Sequence, residues 1–223
     1  MTALRRPPEE NVAAKKWIPV LLIGIAGIFG AFGIWYMILP DPKTIELTML
    51  LVIVGLTAMG YLRGTVRGLL TIIIIYISSA AAALLYRTIS PFVNVALAML
   101  RLDINTTTDD PVSDSTRALS FILAMLVFWG IGELLRGAFF QGASLPEIGV
   151  LDNLGGVLMH IVVGVLVASL LFNAYGYGSS RPVHHKAALR PFFNQVVRLM
   201  VITQSFLFGG SPPPFYTYDL NAP

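Results

Sequence analysis

Few side chains in this chain could do chemistry, and they sit in apolar surroundings where an ionisable group demands a reason. His160 lies inside a long hydrophobic run, Glu133 precedes Arg136 by three residues, and Asp152 stands just before a run of some twenty apolar residues. An intramembrane histidine by default suggests a proton or ligand pathway, whereas a neutral imidazole donating to a neighbouring helix is the plainer reading. No chain of carboxylates accompanies His160, which favours the plainer one. Glu133 is placed to pair with Arg136 along a helix. Two roles compete for Asp152: capping free amide hydrogens at the positive end of a helix dipole, or pairing with Arg63 or Arg67. His184 and His185 are adjacent, so on a helix they would point about 100° apart and suit joint metal ligation poorly.

Enzyme signatures fail one after another. Gly130-x-Gly132 and Gly176-x-Gly178 begin like dinucleotide fingerprints, but Leu135 and Arg181 stand where the third glycine belongs, and neither follows a strand. There is no G-x-S-x-G elbow and no HExxH pair. The absence of cysteine removes disulfides, thiolate metal sites and thiol nucleophiles together. No catalytic set, metal site or cofactor is read from the sequence, and the expectation is a protein that is not an enzyme.

The elements that must position these groups are membrane spans. Of 223 residues, 56% are hydrophobic and 12% charged, against about 25% charged in an ordinary soluble domain. The expected fold is an all-α integral membrane protein with about five transmembrane helices plus interfacial amphipathic helices. Residues 1–16, with Arg5, Arg6, Pro7, Pro8, Lys15 and Lys16, read as a short, mobile cytoplasmic arm. The first span, 17–40, is uncharged from Ile18 to Leu39 and would measure about 33 Å as a helix, enough to cross a bilayer. It ends in Trp35, Tyr36 and Pro40 rather than small residues, which favours a retained anchor over a cleaved signal peptide. Its glycines 24, 27, 30 and 33 would make a smooth ridge for helix contact.

A four-span core is expected over 45–175, with spans near 45–62, 69–86, 118–135 and 154–175. The turn between the first two reads Gly60-Tyr-Leu-Arg63-Gly64-Thr-Val-Arg67-Gly68. Arginines in so short a loop mark the cytoplasmic side, and glycine after each permits positive φ and close backbone approach. Pro91 to Leu102 is too short to span and reads as an interfacial or re-entrant helix; Asp103 to Asp114 reads as an acidic loop. With the N-terminus inside, Arg5, Arg6, Lys15, Lys16, Arg63, Arg67 and Arg136 are cytoplasmic, while Lys43, Arg87, Arg101 and Arg117 are external. The tail, 176–223, with Arg181, Lys186, Arg190 and Arg198, opposes that split, but short loops orient more reliably than long tails. Pro191 opens an amphipathic helix over 191–207; a sixth crossing there would put Arg198 near the bilayer centre. The closing Ser211-Pro-Pro-Pro-Phe stretch reads as extended. The scattered positive charges suit anionic lipid headgroups and not nucleic acid.

Three blocks resemble the colicin V production protein (CvpA) family, small multi-spanning proteins of the bacterial inner membrane. Arg63-Gly64-Thr-Val-Arg67-Gly68-Leu69 is similar to that family's RG-x-x-R turn. Leu145-Pro146 through Asp152, followed by Gly156 and Gly164, is similar to its aspartate followed by glycines at four-residue intervals. Pro191 within the amphipathic helix is similar to its C-terminal segment. The resemblance covers about 45–207 and leaves the first span outside. Asn153 stands where the family usually has arginine, Gly155 where it often has leucine, and His160 in place of the middle glycine, which suggests a local job for His160. The resemblance implies a role in colicin V production, a toxin-biosynthesis process, or in transport and envelope homeostasis, with no chemical reaction to carry over. Expected partners are the lipid bilayer and a homo-oligomer or other membrane-protein subunits; the alternative role is an accessory subunit of a respiratory, photosynthetic or secretion complex.

Overall fold

The computed structural model describes residues 10–39, 44–100, 112–139, 150–177, 186–208 and 216, and among these there are helices and no strands. Helix α1 spans Glu10–Gly33 and continues as a π-helical turn, Ile34–Ile38; α2 spans Thr44–Arg63, α3 Thr65–Met99, α4 Asp114–Phe139, α5 Val150–Tyr177 and α6 Arg190–Gln204. Five of them are long and apolar enough to cross a membrane. Apolar side chains run round their whole circumference, as expected where lipid rather than water is the outer solvent. Leu22, Phe29, Ile77, Leu134 and Leu158, for example, are all exposed.

Helix α5 is the centre, packing on α2, α3 and α4 and receiving α6, while α3 also packs along α4. Small residues make this closeness possible: Ser78, Ser79, Ala80, Ala82 and Ala83 of α3 and Ala168, Ser169 and Ala174 of α5 are buried. In lipid, helix association comes from such packing and from interhelical hydrogen bonds. The larger buried side chains Phe121, Met125 and Leu170 fill the space these small ones leave.

Four features depart from the sequence reading. Helix α1 begins at Glu10, inside the stretch read as an arm, and residues 1–9 lie outside the described residues. Its glycine ridge is only half used: Gly24 and Gly27 approach Ala58 and Val54 of α2, but Gly30 and Gly33 meet nothing within 4 Å. A spacing of three drifts about 60° round the helix at each step, so the four cannot share one face. Next, Pro91 does not start a separate short helix; α3 runs unbroken through it for 35 residues, about 52 Å and longer than the roughly 30 Å hydrocarbon layer. Proline leaves the Arg87 carbonyl without its helical donor, and the Ser90 hydroxyl donates to that carbonyl instead at 3.0 Å. Finally, the core spans extend a few residues beyond their expected ends.

Helix α6 has Pro191 in its first turn, as expected, and at 15 residues is about 22 Å long, short of a crossing. It lies across the bundle. The Leu189 N–H donates to the buried carboxylate of Glu46 at the start of α2 (2.9 Å), and Phe193 packs on Phe172 of α5 with ring centroids 5.0 Å apart. At its far end Gln204 Nε2 donates to the Tyr76 carbonyl (3.0 Å) and to Ser79 Oγ (2.9 Å) of α3. Tyr216 is buried against Phe121 and donates to the Ser79 carbonyl (3.3 Å), and burial pushes its phenol above the usual range, which keeps it a donor. Replacing Gln204 by Ala removes two hydrogen bonds worth about 1 kcal/mol each. Trypsin is then expected to cleave after the exposed Arg198 several-fold faster, with α2 to α5 still folded; unchanged cleavage would mean the apolar face alone holds α6.

Candidate functional site: the hairpin clasp

The polar residues singled out by the sequence converge at one end of the bundle, where α2 ends, α3 and α5 begin and α4 ends. The turn itself is one residue. Arg63 closes α2 and Thr65 opens α3, with Gly64 between them at φ 76°. Glycine takes this left-handed φ without the penalty a side chain brings.

That turn is capped from another helix. The Thr65 N–H, one of the free donors at the start of α3, donates to Asp152 Oδ1 (2.8 Å), and Thr65 Oγ1 donates to the Asp152 carbonyl (3.0 Å). Of the two roles open to Asp152, capping is the one observed, with a difference: the amide capped belongs to α3 and not to its own helix. A charge-assisted bond of this kind contributes about 1.5–3 kcal/mol. Among the described residues Asp152 pairs with neither Arg63 nor Arg67. Reversing the charge at both positions, Asp152→Arg with Arg67→Asp, is therefore expected to be no more stable than Asp152→Arg alone, as measured by unfolding in mixed micelles.

Arg63 instead reaches Glu133 on α4 (3.4 Å). Glu133 pairs with Arg136 (2.6 Å), as its spacing predicted, and further accepts from Thr71 Oγ1 on α3 (3.1 Å), with Trp129 Nε1 at 3.4 Å. One carboxylate thus ties α2, α3 and α4 together. The sequence did not expose Thr65, Thr71 and Trp129 as members of the clasp, nor Glu46 at the opposite end. The available signal was a polar or ionisable group inside each span.

Directly inward lies His160, 1% exposed. Its Nδ1 is 2.9 Å from the Gly156 carbonyl. A carbonyl only accepts, so Nδ1 carries a proton, while Nε2 is buried and has no hydrogen-bond partner among the described residues. The imidazole fills a notch between two other helices. A Cβ on Gly60 of α2 would fall 2.6 Å from His160 Cβ, and one on Gly68 of α3 would fall 3.1 Å from His160 Nδ1. So the bulk of the imidazole is met by glycines across the interface. On either side of it the backbones touch: Gly156 sits against the Gly60 carbonyl and Gly64 Cα, and Gly164 against Ile53 Cα at 2.9 Å for a built Cβ.

Arg67 is exposed and makes no ion pair among the described residues. Pro146, His184 and His185 lie outside the described residues. Among the described residues no three His, Asp or Glu side chains are grouped to hold a metal ion.

A family model described as colicin V production protein matches residues 45–198. No curated protein and no solved structure matches the chain. The match takes in the hairpin, Glu133, Asp152, the α5 glycines and the start of α6, and leaves α1 outside it. Spanning more than half of the chain, it shows that this protein belongs to the colicin V production protein family.

Proposed function

We propose that this is a non-enzymatic protein of the bacterial inner membrane that supports transport, secretion or envelope homeostasis, with its N-terminus and the 63–67 turn cytoplasmic. The observation that carries the reading is the use of the clasp carboxylates. Glu133 and Asp152 are both engaged in holding helices to one another. The positive-inside bias of the short loops supports the orientation. Reconstitution into liposomes with a flux assay, alongside reporter fusions at the hairpin, tests both parts: flux above that of empty liposomes and a cytoplasmic hairpin are expected. A far-side hairpin overturns the orientation, and absence of flux removes transport as the role.

A second reading has its own observation. Helix α1 lies outside the family region, packs chiefly on α2 and leaves most of its apolar surface exposed. That arrangement suits an accessory subunit anchored to a larger membrane complex through its first helix. Under this reading, purification in mild detergent yields partner subunits at fixed stoichiometry, and deletion of residues 1–39 releases them.

A further inference from the structure

At the end of the bundle opposite the hairpin lies a cavity of about 320 Å³. Three helices line it: α3 with Tyr86, Arg87, Ser90 and Pro91, α4 with Arg117 in its first turn and Val112 just before it, and α5 with Tyr177, its last residue. The four α3 residues form two rows spaced four apart, so one face of that helix supplies them all. Thr65 to Arg87 measures about 33 Å along a helix, which sets the cavity at the membrane surface across the roughly 30 Å hydrocarbon layer from the hairpin. Its polar lining includes two guanidiniums and no carboxylate. Arg87 Nε donates to the Tyr86 hydroxyl (3.0 Å), which uses one of five N–H donors and leaves the two terminal nitrogens for a ligand. The Ser90 hydroxyl is committed to the Arg87 carbonyl, so buried neighbours hold both the side chain and the backbone of Arg87. Arg117 is met by Asp114 (3.6 Å) and by the Tyr177 phenol. Asp114 offsets one guanidinium, and one positive charge stays in surplus among these residues.

We infer that Arg87 and Arg117 bind a phosphate group in this cavity. Both guanidiniums border one space, and they come to it from different helices. A carboxylate offers two oxygens in one plane and is answered by a single guanidinium fork, whereas a tetrahedral phosphate offers oxygens to donors arriving from two directions. The start of α4 borders the same space and adds the positive end of its dipole. At the lower end of the ~300–1,000 Å³ typical of ligand clefts, the cavity has room for a phosphate and a few attached atoms. Such a group reaches a membrane surface in two ways, on a water-soluble phosphate ester or as a lipid headgroup, and the recognition chemistry is the same for both.

Two measurements on the full chain in a mild, phosphate-free detergent test this: a phosphorus NMR titration of millimolar glycerol phosphate for the soluble source, and native mass spectrometry with phosphatidylglycerol for the lipid one. The wild type is expected to bind at least one of these probes. Arg87→Gln and Arg117→Gln are each expected to weaken that binding about tenfold, as loss of a charge-assisted hydrogen bond does. Arg67→Gln, at the hairpin, is expected to leave it unchanged. Arg87 is exposed and its side chain bonds only its neighbour in α3 among the described residues, so Arg87→Gln is expected to keep the wild-type unfolding midpoint. Arg87→Lys keeps the charge without the fork and is expected to restore binding in part. Line broadening that depends on Arg87 assigns a soluble ester, and lipid retention that depends on Arg87 without such broadening assigns a headgroup. Binding of neither probe overturns the proposal, as does binding that Arg87→Gln or Arg117→Gln leaves undiminished. Competition by acetate as effective as that by inorganic phosphate would mark a site for any small anion and overturn the phosphate assignment.

Discussion

Gly156→Leu is expected to stop α5 from docking on α2 and to give the largest loss of stability of any single substitution in the core. A side chain at this position meets the Gly60 carbonyl and the Gly64 Cα and carbonyl carbon, the last two at 2.8 and 2.9 Å from a built Cβ. These are backbone atoms, which have no rotamer to move into. Overpacking an interior commonly costs about 1–3 kcal/mol when side chains can give way. Here the helix axes must separate, which also pulls Asp152 off Thr65 and withdraws His160 from its notch, so a loss above about 3 kcal/mol is expected. The unfolding midpoint in mixed micelles measures it, and disulfide trapping between cysteines placed on α2 and α5 reports the docking directly. Gly130→Leu is the control, since nothing lies within 4 Å of a Cβ there. Equal behaviour of the two variants would refute the close α2–α5 contact.

Glu133→Ala is expected to have the second largest effect. It leaves two guanidiniums, with side chains 32% and 18% exposed, facing each other without the carboxylate that separates them, leaves Trp129 without its acceptor and leaves Thr71 only the Arg67 carbonyl. Breaking a fully buried pair costs about 3–5 kcal/mol, and exposed pairs are worth under about 1 kcal/mol. The partial exposure of these groups places the expected loss at about 2–3 kcal/mol. Glu133→Gln keeps an acceptor for Thr71 but loses the charge, so it should fall between wild type and Ala. Arg63→Gln removes only the longer, more exposed of the two ion pairs and should cost least. If Arg63→Gln proves as damaging as Glu133→Ala, the carboxylate is not the node joining α2, α3 and α4.

Both results turn on pairings between distant parts of the chain, and these were the least legible in the sequence. Glu133 with Arg136 was readable because three residues along a helix always bring side chains together. Glu133 with Arg63 was not, because nothing local says that the end of α4 lies beside the end of α2. The case of Asp152 is similar. Its type and its place in a first turn announced a cap, and only packing chose the Thr65 amide of α3 over a donor of its own helix. Likewise, local rules make His160 an interruption of a glycine packing series, and only the fold sets Gly60 and Gly68 opposite it. Local rules alone give α1 a four-glycine ridge and start a short helix at Pro91, and the fold has neither. A partner helix decided which glycines were used, and the Ser90 hydroxyl let α3 continue through the proline.

The sequence by itself determined the number of apolar rods, the sharp basic turn at 63–67, the short tail helix opened by Pro191 and the family to which the chain belongs. Each follows from residues adjacent along the chain, because hydropathy, turn chemistry and motif spacing are local sums. Only the tertiary structure decided which carboxylate serves which donor and where His160 finds room. Those outcomes depend on which helix surfaces fit closely enough to touch, and that fit is set by small residues up to a hundred positions apart.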